Sequence, residues 1–146
     1  MDFALDTIDT KARSIRGAEM TVLGLNGLPL LNSKKEEHAI MLQGPDSPTY
    51  RRLLHANTQK RILAAAEAAE RGEKIVPDPL EAEADAIEVM AQCTLGWRGF
   101  LSPDGEPIEF STDAARELYS RFPVIREQVD AFMTRRVNFL PVSPSA

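Results

Sequence analysis

The chain has 146 residues, 43% apolar and 27% charged, with a formal charge of −5. That length suffices for one domain with its own core, and the acidic balance argues against general nucleic-acid binding, which needs a concentrated basic surface. A single cysteine, Cys93, excludes an intrachain disulfide and a cysteine-rich zinc site, and no apolar run approaches the ~20 residues of a membrane span.

Taken in chain order, residues 1–18 carry charges of both signs with little periodicity and read as an N-terminal arm or loosely docked strand, without the apolar stretch of a secretory signal. From Glu19 the texture changes. "EMTVLGLNGLPLL" breaks aliphatic runs at Asn26-Gly27, a strong hairpin signal because both turn positions tolerate positive φ. The charged "NSKKEEH" at 32–38 is a turn before "AIMLQG", so 19–43 reads as a three-stranded β-meander. A sheet this small needs other elements to lean on.

Helices at 47–140 supply them. Ser47-Pro48 is a helix start, with Ser47 as cap and Pro48 at the first position. Leu54, Ile62, Ala65, Ala66 and Ala69 then mark an expected buried face, and the helix ends near Gly72. After the connection "GEKIVPDP", Asp78 caps a second helix, with Glu81 placed to reach back as in a capping box. Leu80, Ala84, Ile87, Ala91 and Leu95 are its expected buried stripe, and Glu81, Glu83, Asp85 and Glu88 an acidic outer face. Gly96 and Gly99 mark its end, around Trp97 and Arg98.

Asp104-Gly105 reads as a turn and "PIEF" as a short strand. Ser111 caps a third helix, with Asp113 in its first turn, where the helix dipole favours negative charge. Pro123 opens the last helix, whose broad face is Ile125, Val129, Phe132, Met133, Val137 and Leu140, with Pro141 as the stop. Residues 141–146 have little to bury and read as a flexible tail. The expected fold is α+β and helix-dominated: a small N-terminal antiparallel meander and about four α-helices, packed as one domain over 19–140.

Chemistry-bearing constellations are sparse. His38 and His55 have no carboxylate or cysteine at metal-ligand spacing and read as solvated surface histidines. Asp113 with Glu117, and Glu81 with Asp85, lie one helical turn apart, a spacing that usually only solubilises a helix. Gly24 to Gly27 lacks the third glycine and following helix of a phosphate loop, and no Gly-x-Ser-x-Gly elbow is present. Cys93 reads as a small buried thiol. The expectation is no catalytic residue, no metal and no cofactor.

Two cationic groups remain, Arg51, Arg52, Lys60 and Arg61 on the first helix and Arg126, Arg135 and Arg136 near the end, each a solvated face or a patch for an acidic partner. Phe100, Phe110, Phe122, Phe132 and Phe139 gather with Trp97 and Tyr119 in the C-terminal third, as core or as partner anchors. The Gly-Trp-Arg-Gly step at 96–99 is read as packing. The glycines allow a sharp turn, Trp97 folds over the junction with the last two helices, and Arg98 points to solvent or an acidic helix face.

The stretch "CTLGWRGFLSPDGEPIEFSTDAARELYSRFPVIREQVDAFMTRRVNFL" at 93–140 resembles the C-terminal half of the tail assembly chaperones of long-tailed bacteriophages. The opening "LDTIDTKARSIRGAEMTVL" and the helix entry "GPDSPTYRRL" are similar to the same group. The resemblance implies a small non-enzymatic protein of the infected bacterial cytoplasm. It would bind the tape-measure protein, help recruit tail-tube protein, and associate with neighbouring copies of itself, with no membrane or nucleic-acid partner. It also implies that a frameshifted longer form exists in many phages, a setting that the Pro- and Ser-containing end would suit. Residue type and location nominate Phe132, Arg136 and Phe139 as partner contacts, then Arg51 and Arg52, with Gly96, Trp97 and Gly99 structural. The alternatives are a structural minor tail protein retained in the virion and a host-directed regulatory or nucleic-acid-binding protein.

Overall fold

In the computed structural model, residues 3–141 are described. Strand β1 (Ala18–Thr21) runs antiparallel to β2 (Ala39–Leu42), with Ala18 opposite Leu42 and Thr21 opposite Ala39. The intervening chain folds back on itself in two tight turns. Val22 N–H donates to His38 O at 2.9 Å, and Leu30 N–H donates to Val22 O at 2.9 Å. Asn26-Gly27 forms the first turn, with Gly27 at φ 78°; in the second, Asn32 Oδ1 accepts the Lys34 and Glu36 amides.

The third strand of the sheet is not where the sequence pattern put it. It is β3 (Thr94–Arg98), antiparallel to the far side of β2, with Trp97 opposite Ile40 and Arg98 opposite Ala39. Leu95 therefore leaves the predicted helical stripe and sits on a strand, 44% exposed. A β-branched residue, a tryptophan and a glycine favour extended backbone over another helical turn, and the unpaired edge of β2 supplies the partner.

Among the described residues six α-helices lie around the sheet: α1 (Phe3–Asp6), α2 (Lys11–Arg16), α3 (Pro48–Glu70), α4 (Pro79–Gln92), α5 (Thr112–Arg121) and α6 (Pro123–Thr134). The fold is α+β and helix-dominated, as the sequence pattern predicts. The capping grammar is realised at three starts: Ser47 Oγ accepts from Tyr50 N at 3.3 Å, Asp78 Oδ1 from Leu80 N at 2.9 Å, and Ser111 Oγ from Ala114 N at 3.0 Å. Glu81 departs from the capping-box reading, because its carboxylate pairs with Lys60 at 2.8 Å.

Residues 1–18 differ from a loose arm. Their described part forms α1, α2 and the first residue of β1. Ser14 and Thr10 are buried, and Gly44 N–H donates to Ser14 O at 2.9 Å. At the other end α6 stops at Thr134, well before Pro141, and a 3-10 turn follows at Arg136–Phe139. The turn breaks the predicted face: Phe139 goes inward, whereas Val137 and Leu140 are exposed. "PIEF" forms no strand and is tied back by one bridge, Leu101 to Pro107. Of the predicted tail, residues 142–146 lie outside the described residues.

The core fills the space between the sheet and three helices. Met20, Val22, Ile40 and Leu42 point down from the strands onto Ile87, Val89, Met90 and Cys93 at the end of α4, Ala115 and Tyr119 of α5, and Ile125, Val129 and Met133 of α6. Thr94 Oγ1 donates to Met90 O at 2.7 Å, so the Tyr119 hydroxyl, 2.8 Å away, donates to Thr94. Burial pushes the Tyr119 hydroxyl up to about 12. Gln128 of α6 clasps the backbone of Leu23, accepting from its N–H and donating to its C=O at 2.8 Å each.

The two long helices depart most from their predicted packing. Ala68 is the one buried residue of α3; Leu54, Ile62, Ala65, Ala66 and Ala69 are all exposed. In α4, Ile87 and Ala91 are buried but Leu80 and Ala84 are not. Along the far half of the α3–α4 hairpin, residues 59–86, Ala68 is the one buried residue.

Candidate partner-binding surfaces

The nominated contacts separate once placed. Phe139 is fully buried. Its ring meets Phe132 edge-on at 5.7 Å, and a Cβ on Gly44 would come within 2.7 Å of it. It offers no surface to a partner, which corrects its nomination. Arg136 lies beside it and grips Asp46 through two bonds of 2.9 Å, while the Thr10 hydroxyl donates to the same carboxylate. The Arg136 hydrogen bonds hold the Asp46 carboxyl below its ordinary range. Together these residues clamp the N-terminal helices, the entry to α3 and the C-terminal turn, with the Arg136 side chain still 63% exposed. Phe132 is half-buried against the core, and Arg51 and Arg52 are exposed on α3.

Trp97 is half-buried, on the core-facing side of β3. Its ring packs on Phe100 at 4.9 Å and on Phe110 at 5.3 Å, and its Nε1–H donates to Ile108 O at 2.9 Å. These partners belong to the 100–110 loop, not to the predicted junction of the last two helices. Gly99, at φ 89°, has no room for a side chain, since a Cβ would lie 2.1 Å from Glu37 O. Gly96 has open space in the middle of a strand and makes no turn. Arg98 reaches across the outer face of the sheet to Glu19 at 2.7 Å with its side chain 59% exposed. It points outward to solvent, as one of the two expectations had it, and its carboxylate partner is on a strand rather than a helix face.

The acidic residues of α4 form a partly exposed seam of ion pairs to neighbouring helices. Glu88 accepts from Arg116 at 2.6 and 2.9 Å, Glu83 pairs with Arg126 at 3.1 Å, and Glu81 and Asp85 share Lys60. Cations from α3, α5 and α6 thus answer the stripe that reads as a solvated face in sequence. The Arg116 hydrogen bonds bring the Glu88 carboxyl down to about 2. Asp113 is also bound by Arg116. His38 differs from a solvated histidine: it is half-buried, with Nδ1 2.8 Å from Leu30 O and its ring edge-on to Phe100. Burial pushes the Cys93 thiol up to about 12, which disfavours the reactive thiolate. Among the described residues no group of three or more His, Cys, Asp and Glu side chains is placed to hold a metal ion, and no helix is long and apolar enough to cross a membrane.

A groove of about 530 Å³ lies between α3 and α4 at the free end of the hairpin. Ala64, Ala65, Ile75, Val76 and Pro77 give it an apolar floor, with Lys60 and Arg61 on one side and Asp78, Glu81 and Asp85 on the other. Val76 is 85% exposed, and neighbouring Leu80 76%. Sequence reasoning missed this surface because it assigned the apolar residues of α3 to one buried face. The adjacent pair Ala65-Ala66 within that face was the available signal, since neighbours on a helix point about 100° apart and cannot both join a narrow stripe; Ala65 lines the groove and Ala66 does not.

Comparison with known proteins adds no relative: no protein-family model, curated protein or solved structure matches the chain.

Proposed function

We propose that this chain is a non-enzymatic bacteriophage tail assembly chaperone. It works in the cytoplasm of the infected bacterium, binding the tape-measure protein and helping to recruit tail-tube subunits. The motifs at 93–140 bring in the family. The observation that carries the reading is the open groove at the α3–α4 tip, with its apolar floor and charged walls of both signs. A tape-measure protein is a long helical rod whose apolar face aggregates before the tube forms around it. An amphipathic helix from such a rod fits an apolar groove of this kind, with its flanking charges meeting the walls. The groove is shallow and exposed, which suits binding that must be undone when tube subunits arrive; repeated weak contacts along a rod gain strength through multivalency.

Co-expression with the tape-measure protein of the same phage tests the reading. The tape-measure protein is expected to move into the soluble fraction and to co-purify. Ala65→Glu combined with Val76→Asp, both at exposed positions, should abolish that effect while leaving the chaperone's own melting curve in place. A tape-measure protein that stays equally insoluble with and without this chain overturns the proposal.

A further inference from the structure

Helix α3 carries a second unpartnered face, distinct from the groove. On its inner side Tyr50, Leu53, Asn57, Arg61, Ala64 and Ala68 follow at spacings of three and four, the half-buried or groove-lining residues directed at α4 and the core. Two positions further along, and so on the opposite side of the helix, run Arg52, His55, Gln59, Leu63, Ala66 and Glu70, every one exposed. Ile62, 64% exposed, borders Leu63, 61% exposed, at the middle of this outer stripe. Arg52 and His55 thus occupy one end, aliphatic residues the centre and carboxylates, Glu67 and Glu70, the other end.

That arrangement is complementary to itself when reversed. We propose that the outer face of α3 is the interface of a two-fold symmetric dimer, in which α3 packs antiparallel against α3 of a second copy. A two-fold axis at the level of residue 61 sets Arg52 of each copy against Glu70 of the other. The same axis brings His55 beside Glu67 and stacks both Ile62-Leu63 pairs at the centre. The two ion pairs are then about 27 Å apart along the helix, at ~1.5 Å per residue, and they close both ends of an apolar seam. Ala66 and Ala69 leave room for the backbones to approach to the ~8–10 Å of packed helices. A parallel pairing would oppose Arg52 to Arg52 and Glu70 to Glu70, so the charges select the antiparallel one. An antiparallel helix pair of this length buries on the order of 1,000 Å² in total, near the lower end for specific interfaces, so the dimer forms reversibly with concentration. Each dimer carries two grooves, but its existence does not depend on what the groove holds.

Analytical ultracentrifugation of the full chain, from micromolar to millimolar concentration, tests this without any partner. The expected result is a monomer–dimer equilibrium that Leu63→Glu moves to monomer. Arg52→Glu and Glu70→Arg should each weaken the dimer by roughly tenfold through loss of two pairs and gain of repulsion. The double variant Arg52→Glu/Glu70→Arg should recover it. All three positions are exposed, so circular dichroism should show unchanged folding. A monomer at millimolar concentration, an assembly indifferent to Leu63→Glu, or a double variant as weak as the single ones overturns the interface.

Discussion

The two ends of α4 sit in opposite environments. Its last turns place Ile87, Val89, Met90 and Ala91 beneath the sheet, where β1, β2, α5 and α6 converge. Its first turns meet α3 across a groove, reach α6 only through exposed contacts such as Glu83 on Arg126, and leave Leu80 76% exposed. Helix α3 repeats the contrast: Tyr50 and Leu53 pack on the core, while its second half is held to α4 by Lys60 on Glu81 and Asp85. Burial therefore stabilises one half of the hairpin. In the other half, alanine's high helix propensity and a few ion pairs do so. A helix held this way keeps its shape while leaving its apolar surface free for a partner.

Cutting a cavity where the packing is densest should give the largest effect. Phe139→Ala removes a fully buried ring wedged between Phe132 and Gly44, and it is expected to cost about 3–5 kcal/mol in denaturant unfolding. Loss of partner binding with unchanged stability would return Phe139 to the surface.

A smaller effect, set by pH, comes from the seam between the two regions. Glu88 has its carboxyl lowered from 4.5 to about 2 by Arg116. A lowered folded value means that this contribution is complete above the unfolded value and is lost as pH falls from 4.5 towards 2. Thermal melts of Glu88→Gln should therefore fall less steeply than wild type across that window. Asp46, lowered by Arg136, keeps some of the slope in both proteins. Parallel wild-type and Glu88→Gln curves would show the pair to be screened out by solvent.

The smallest change belongs to the tip. Leu80→Ser, at a site 76% exposed, should alter stability by no more than ~0.5 kcal/mol in the same unfolding assay. A loss of several kcal/mol would mean that the tip is covered in solution.

Much of the local structure was legible because it is encoded in short windows. The caps at Ser47, Asp78 and Ser111, the Asn26-Gly27 turn and the helix opening at Pro123 each depend on a few adjacent residues and their own backbone groups. The functional surface was less legible. Periodicity says that a residue is apolar and which neighbours share its side, but not whether another element arrives to cover it. Ile62 and Val129 look alike in sequence, yet one is 64% exposed and the other fully buried.

Composition, turn chemistry and capping by themselves determined an α+β chain with α3, α4, α5 and α6 starting where they do, since those choices are local, whereas α1 and α2 went unread. Only the tertiary structure decided that Thr94–Arg98 joins β2 as a strand, that Gly99 must be a glycine where Gly96 need not, and that Phe139 closes a clamp. Each of these depends on a group distant in sequence: a free strand edge, the carbonyl of Glu37, a Gly44 without a side chain. Such partners meet only after the chain has folded, and no window along it contains both halves of the contact.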